Sequence, residues 1–210
     1  DQFLPWLENM IEKNNIEVVL SGVEEINAVL ARNKNHNGEC KYLVPELENQ
    51  NIFKNKLHTV EWLAKHSIDH PKTLDLQKGL NFQQIVNLLK SPFIVKPKEG
   101  KGSQGISVID TEREYEKINC KEDYVAQELI GDADSEYTCG VYKSKFGYTE
   151  ILIMRRQLSK GSTNMAQVVS DHNIFSYVKR VADCLDTTSP FNVQLRLCKF
   201  SKRPVCFEIN

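Results

Sequence analysis

A glycine-rich segment between two predicted strands has the residue types needed to bind a phosphate group. The segment FIVKPKEGKGSQGISVID carries Gly100, Gly102 and Gly105 in the spacing G-x-G-x-x-G. Backbone N–H groups without side-chain bulk can close over a phosphate, and Lys96, in the preceding strand, can place a positive charge on it. Because the glycines run from strand to strand and not from strand to helix, they exclude the dinucleotide-binding fingerprint. The alternative is a mobile hairpin with solvated lysines.

The closing pair of predicted strands carries oxygen donors of the kind that Mg²⁺ prefers. Glu208 and Asn210 are two residues apart in a strand and so share a face, and Gln194 can lie across the hairpin on that same face. A carboxylate and two amide oxygens form a hard-oxygen set, with water and phosphate completing the octahedron. Ile209, between the two, is expected to point into the core. The alternative is an ordinary polar outward face of an antiparallel strand.

The segment VAQELIGDADSEY, which joins the end of a strand to a turn, is a candidate nucleoside site. Backbone groups of Glu128, Leu129 and Ile130 can contact an adenine at such a strand-to-loop transition, and Gly131 begins the turn. Glu136 can accept hydrogen bonds from ribose hydroxyls. The alternative is an ordinary acidic turn.

Two consecutive arginines, Arg155 and Arg156, occupy the predicted strand YTEILIMRRQL. Successive side chains of a strand face opposite ways, so only one of them can face a given site. A guanidinium suits bidentate contacts with a carboxylate or phosphate. One arginine can therefore meet an anionic ligand, and the other is then a surface charge.

Hydrophobic periodicity predicts the helices and strands that must position these residues. The predicted helices cover residues 3–15, 23–34, 54–68, 81–90, 111–120 and 172–186, and the predicted strands cover 16–22, 91–97, 106–110, 123–130, 136–144, 148–158, 191–200 and 204–210. Residues 38–53 are predicted to be an irregular connector and residues 69–76 an extended segment. The helix–strand–helix order at the start is typical of the end of a parallel-sheet unit, whereas the later strands pair as antiparallel hairpins.

Composition excludes several classes of protein. The chain has 210 residues, with 27 Lys and Arg against 28 Asp and Glu, so its net charge of −1 does not favour nucleic-acid binding. No apolar stretch approaches the roughly 20 residues of a membrane span. The six cysteines lack metal-binding spacing, and the first residues do not form a basic and apolar leader. These features predict a reduced, cytoplasmic protein.

The order of five segments resembles the ATP-grasp superfamily and, within it, the carbamoyl-phosphate-synthase-like ligases. The segments are NKLHTVEWL with HPKT, FIVKPKEGKGSQGISVI, VAQELIGDADSEY, IMRRQL, and FNVQ with FEIN. The resemblance implies an α+β fold, in which an α/β pre-domain precedes two α+β lobes whose antiparallel sheets sandwich ATP. It places the end of the pre-domain at residues 1–48, the small lobe at 49–127 and an incomplete C-terminal lobe at 128–210. Further segments are expected before Asp1 and after Asn210, so we expect a truncated chain.

The resemblance also implies roles for individual residues and two cofactors, ATP and Mg²⁺. The residues implied to bind ATP are Lys56, Lys96, Gly100, Gly102, Ser103, Gly105, Glu128, Leu129, Ile130 and Glu136. Those implied to hold Mg²⁺ are Gln194, Glu208 and Asn210, and the implied catalytic residues are Lys96 and Arg156.

The implied activity is ATP-dependent carboxylate–amine ligation. A substrate carboxylate attacks the γ-phosphate to give an acyl phosphate, and an amine then displaces the phosphate. The implied partners are a small-molecule carboxylate and amine, with neither nucleic acid nor membrane, and this group often forms homodimers. The alternative is a non-catalytic ATP- or ADP-binding regulatory or structural module. ADP formation that depends on an added carboxylate separates the two.

Overall fold

The computed structural model describes residues 2–34, 40–100, 102, 104–159 and 161–210, which form a mixed set of helices and strands. The α-helices are α1 (Phe3–Asn14), α2 (Glu24–Arg32), α3 (Leu47–Lys54), α4 (Lys56–Lys65), α5 (Phe82–Leu89), α6 (Glu112–Tyr115) and α7 (His172–Cys184). The strands are β1 (Val18–Val19), β2 (Lys41–Tyr42), β3 (Thr73–Asp75), β4 (Phe93–Pro97), β5 (Ser107–Ile109), β6 (Tyr124–Glu128), β7 (Glu136–Lys143), β8 (Thr149–Ser159), β9 (Ser162–Val168), β10 (Pro190–Leu197) and β11 (Pro204–Ile209).

The first unit of the chain packs α1 and α2 around a short parallel pair, β1 and β2, with its own small core. The predicted strand over residues 16–22 was wrong in length, because β2 offers β1 only two residues to pair with. The prediction of an irregular connector over 38–53 was also wrong, since it contains β2 and α3. Long-range contacts hold α3: Phe53 enters the core under the large sheet, and Asn49 Nδ2 donates to the Asp186 carbonyl at 2.8 Å.

A four-stranded antiparallel sheet, in the order β3-β6-β4-β5, forms the small lobe. The segment predicted as extended supplies its edge strand β3. Helices α5 and α6 complete the core around Phe93, Val95 and Tyr115. Asn81 caps α5, because its side chain accepts from Gln84 N while the Gln84 side chain accepts from Asn81 N.

A five-stranded antiparallel sheet, in the order β11-β10-β7-β8-β9, forms the large lobe. One face packs against α7, α3 and α4, where Leu63, Val178 and Ile209 are buried in one core. Strand β9 was not predicted, because all seven of its residues are exposed and give no alternating pattern. Two antiparallel sheets with helices on their outer faces confirm the predicted α+β fold class. Within the described residues, no helix is long and apolar enough to cross a membrane.

Candidate functional site

The two sheets face each other across a cavity of about 480 Å³. The small sheet contributes apolar side chains such as Ile94 and Val108, whereas the large sheet contributes mostly polar and charged ones. Candidate residues that line the cavity are Lys56, Lys96, Gly100, Gly102, Glu128, Leu129, Ile130, Glu136, Arg156, Gln194 and Glu208. Segments far apart in the chain therefore meet in one place.

Two buried lysines line the cavity. Lys96, on β4, has only 4% of its surface exposed, and its Nζ lies 3.4 Å from the Phe207 carbonyl oxygen and 5.3 Å from the centre of the Phe207 ring. Burial and the positive charge of Lys56 lower the pKa of Lys96 to about 8, while Glu208 opposes this shift. Lys56, the first residue of α4, donates from Nζ to the Gly100 carbonyl at 3.0 Å. Within the described part of the chain, both ammonium groups donate to backbone carbonyls, and Glu208 is the carboxylate whose charge acts on Lys96.

The glycine-rich loop connects β4 and β5 at the mouth of the cavity. Gly100 and Gly102 line it, whereas Gly105 lies just outside. Gly105 has a φ of +71°, and a Cβ there would lie 2.9 Å from Pro97 Cγ, so this position requires glycine. The candidate residue Ser103 lies outside the described residues.

The hinge segment Glu128–Ile130 leads from the small sheet into the large one along one wall of the cavity. Glu128 N donates to the Lys72 carbonyl at 2.9 Å, and the Glu128 carboxylate accepts from Lys72 N at 3.1 Å. Gly131 follows with a φ of +60°, and a Cβ there would come within 2.3 Å of the Leu197 carbonyl oxygen. The close contact fixes the path of the hinge over β10.

Glu136 lies at the centre of an ion-pair network on the large sheet. Its buried carboxylate accepts from Arg156 on one oxygen, at 2.6 and 3.0 Å, and from Arg196 on the other, at 2.6 and 2.9 Å. Arg196 Nη1 also lies 3.5 Å from the Ile130 carbonyl oxygen. Arg155 faces the other way, and its Nε donates to the Asp134 carbonyl at 3.0 Å. Of the two consecutive arginines, Arg156 is therefore the one in the cavity.

Arg196 is a site residue that the sequence reasoning missed. A signal was available, because Arg196 is two residues from Gln194 in the same strand and so shares its face. Its partner Glu136 lies opposite it on the neighbouring strand β7.

The predicted metal-binding residues lie on β10 and β11. Gln194 and Glu208 are directly paired across the two strands, and both line the cavity. Gln194 Oε1 accepts from Arg156 Nη2 at 2.6 Å. Asn210 lies beyond the cavity lining, where its backbone pairs with that of Asn192. Since no three His, Cys, Asp or Glu side chains of the described residues could hold a metal ion together, a cation here would need the amide oxygens beside Glu208. Such hard-oxygen donors suit Mg²⁺.

A family model described as "ATP-grasp domain" matches residues 53–210 of this chain. The chain belongs to the ATP-grasp domain family. The matched range includes every candidate residue of the cavity. No curated protein sequence matches the chain.

Solved ATP-grasp-like structures share the fold at low sequence identity. Carboxyaminoimidazole ribonucleotide synthase from Aspergillus clavatus, complexed with ATP, has a TM-score of 0.73 at 16% identity, over 92% of this chain and 53% of that one. N5-carboxyaminoimidazole synthetase from Staphylococcus aureus, complexed with ADP, has a TM-score of 0.74 at 14% identity, over 96% and 56%. The biotin carboxylase domain of Hydrogenobacter thermophilus 2-oxoglutarate carboxylase, in complex with MgADP, ADP and bicarbonate, has a TM-score of 0.75 at 14% identity, over 98% and 50%. The chain thus spans about half the length of these proteins.

Proposed function

We propose that this ATP-grasp protein is an ATP-dependent carboxylate–amine ligase that acts through an acyl phosphate. The supporting observation is the cavity between the sheets, where the buried lysines Lys56 and Lys96 lie in the same cavity as the oxygen donors Gln194 and Glu208. A triphosphate needs positive charge and a cation site, and the two lysines and the two oxygen donors would supply them. The family match and the nucleotide-bound structures of the same fold add support.

In the proposed mechanism the protein acts by positioning and by charge. Glu128, Leu129 and Ile130 contact the adenine, and the glycine-rich loop, including Ser103, covers the phosphates. An oxygen of the substrate carboxylate attacks the γ-phosphorus, the bond to the β-phosphate oxygen breaks, and ADP leaves with that electron pair. Lys56 and Lys96 offset the charge on the phosphates during this transfer.

Arg156 is the proposed ligand of the acyl phosphate or of the carboxylate that forms it. An amine then attacks the acyl carbon, phosphate departs, and the amine proton is released. Mg²⁺, held by Gln194, Glu208 and Asn210, would offset further charge on the phosphoryl group. The proposed contact between Glu136 and the ribose requires an arginine to release part of its carboxylate, because both oxygens already accept from guanidinium groups.

We also propose a pre-domain that ends at residue 48, a homodimer and a cytoplasmic location. Helices α3 and α4 pack in the core of the large sheet, so a boundary at residue 49 would pass through a helix of that core.

Magnesium-dependent nucleotide binding tests the site directly. We expect micromolar binding of a non-hydrolysable ATP analogue, strengthened by Mg²⁺, when measured by calorimetry. In Glu208→Gln the gain from Mg²⁺ should fall by about tenfold or more, because a carboxylate ligand is lost. The exposed Glu61→Gln on α4 is the matched control. An absence of nucleotide binding in the wild type would refute the proposed function, and binding without carboxylate-dependent ADP formation would favour the non-catalytic module.

Nucleotide affinity is also expected to fall above pH 8. Below that pH the Lys96 side chain is mostly protonated in the free protein, since its pKa is about 8. Above it, the free lysine is neutral and binding must restore a proton, which weakens binding by up to about tenfold per pH unit. Calorimetry at pH 9 in two buffers of different ionisation enthalpy should detect this proton uptake. Lys96→Met should bind more weakly with no uptake at this site, and the same uptake in that variant would contradict the assignment.

A further inference from the structure

The face of the large sheet that lines the cavity runs on beyond it. Its hinge end is marked by Glu136 on β7 and by Arg196 on β10, which reaches the Ile130 carbonyl. Two residues further from the hinge along β10 is Gln194, paired with Glu208. In the proposed function, adenine lies at the hinge and the phosphates at Gln194 and Glu208. The next row across the sheet holds Asn210, which follows β11 and is the third proposed Mg²⁺ ligand, paired with Asn192 on β10. The positions of that row on β7 and β8 therefore face whatever lies beyond the γ-phosphate.

Gly140 occupies the β7 position of that row, in the centre of an open floor. It lies opposite Asn192 on one side and Leu152 on the other, so these three residues share the face. A Cβ built on Gly140 would meet no atom of the described residues within 4 Å. The floor beside the proposed phosphate site is therefore bare backbone with free space above it.

Apolar side chains flank this floor on the side of β8 and β9, whereas the polar Asn192 flanks it on the side of β10. Leu152 is 49% exposed, Tyr142, two residues after Gly140, is 43% exposed, and Val168 on the adjoining strand is 64% exposed. Val168 pairs with Met154, which places it on the same face. A contiguous patch of exposed apolar side chains is typical of a ligand-binding or interaction surface. Tyr142 and Leu152 share the sheet face of the cavity-lining Gln194 and Arg156, so a ligand that enters the cavity can reach them. Leu152 and Val168 also line a separate hollow beside α7.

The charged side chains near Gly140 restrict the kind of ligand that can bind there. Among the described residues at this end of the face, Glu150 is acidic and none is a lysine or arginine. A second carboxylate or a phosphate on the ligand would have no partner cation there and would meet the Glu150 charge. The cationic groups, Lys96 and Arg156, lie back in the cavity, where the reacting carboxylate must be.

We propose that the carboxylate substrate, which receives the γ-phosphoryl group, is a monocarboxylic acid with an apolar side group. This apolar group packs on Gly140 between Leu152 and Tyr142. The inference rests on the proposed ligase function, and it adds the substrate class. The carboxylate points back toward Arg156 and the phosphates, and the apolar group covers the bare floor. Gly140 and Leu152 are then the residues that select the substrate.

The test measures acid binding to protein already saturated with Mg²⁺ and a non-hydrolysable ATP analogue. The probes are 3-phenylpropanoate, hexanoate, succinate and bicarbonate. We expect the two apolar acids to bind at least about tenfold more tightly than succinate or bicarbonate. Gly140→Leu should weaken 3-phenylpropanoate about tenfold or more and leave nucleotide affinity within twofold. Gln167→Leu, which adds the same side chain on the opposite face beside Arg155, is the matched control.

Leu152→Lys is a second variant, and it tests the charge preference of the site without placing a side chain above Gly140. Its ammonium group should shift preference toward succinate by about tenfold. Tighter binding of bicarbonate or succinate than of the apolar acids, or no acid binding at all, would overturn the substrate class while nucleotide binding still stands. A failure of the proposed function itself appears earlier, as an absence of nucleotide binding before any acid is added, and it would overturn the inference as well.

Discussion

Replacing Lys96 with alanine is expected to lower the rate of ADP formation by on the order of 10²-fold or more, as for other preorganised charge donors. The ammonium group lies in a buried position at the cavity, with the Phe207 carbonyl and ring as its near neighbours. Its charge is therefore available to a phosphate, and it is weakly screened by water. The loss should appear in kcat and in the dependence of the rate on ATP concentration.

Two further variants separate the charge of Lys96 from its bulk. Lys96→Arg keeps a positive charge and should retain more activity than alanine, although the guanidinium is larger. Lys65→Ala removes an exposed lysine at the end of α4 and should leave the rate unchanged. If Lys96→Ala formed ADP at the wild-type rate with unchanged dependence on ATP, the proposed role of Lys96 would be wrong.

The alternation of side chains along each strand predicted which residues share the cavity face of the large sheet. Gln194 and Glu208 are paired, as the hairpin between their strands suggested, but a β-bulge between Gln194 and Leu195 sets the exact register. Ile209, between Glu208 and Asn210 in the strand, lies in the core, as alternation requires. A short connection leaves few arrangements, so local pattern predicted which strands pair, but it did not predict the bulge that brings Glu208 opposite Gln194.

Other features depended on contacts between distant segments. Arg196 could not be paired with Glu136 from sequence, because that requires the knowledge that β10 lies beside β7. Helix α3 was missed for a similar reason, since Phe53 and Asn49 hold it through contacts with the large lobe. Strand β9 has an exposed, uncharged sequence whose pairing with β8 leaves no periodic pattern. Tertiary contacts, and not local preference, decide each of these cases.

A second large effect is expected on the stability of the folded protein when Glu136 loses its charge. Glu136→Gln is expected to lower the free energy of unfolding by about 3–5 kcal/mol, because it leaves two largely buried guanidinium groups without their shared carboxylate. Chemical denaturation should show the loss as a lower midpoint with an unchanged slope. The exposed Glu61→Gln provides the control and should change stability by less than about 0.5 kcal/mol.

The two arginines can be separated by double-mutant cycles between Glu136→Gln and either Arg156→Met or Arg196→Met. Each pair should show a coupling energy of about 0.5–3 kcal/mol, since each arginine contacts a different oxygen of the carboxylate. Arg196→Met should also weaken nucleotide binding, because Arg196 alone of the two reaches the hinge carbonyl of Ile130. Arg156→Met should instead act on the step that involves the carboxylate, through its place beside Gln194. Coupling energies near zero for both pairs would show that Glu136 does not hold the two arginines in solution. The ion-pair network would then not determine where these arginines lie in the cavity.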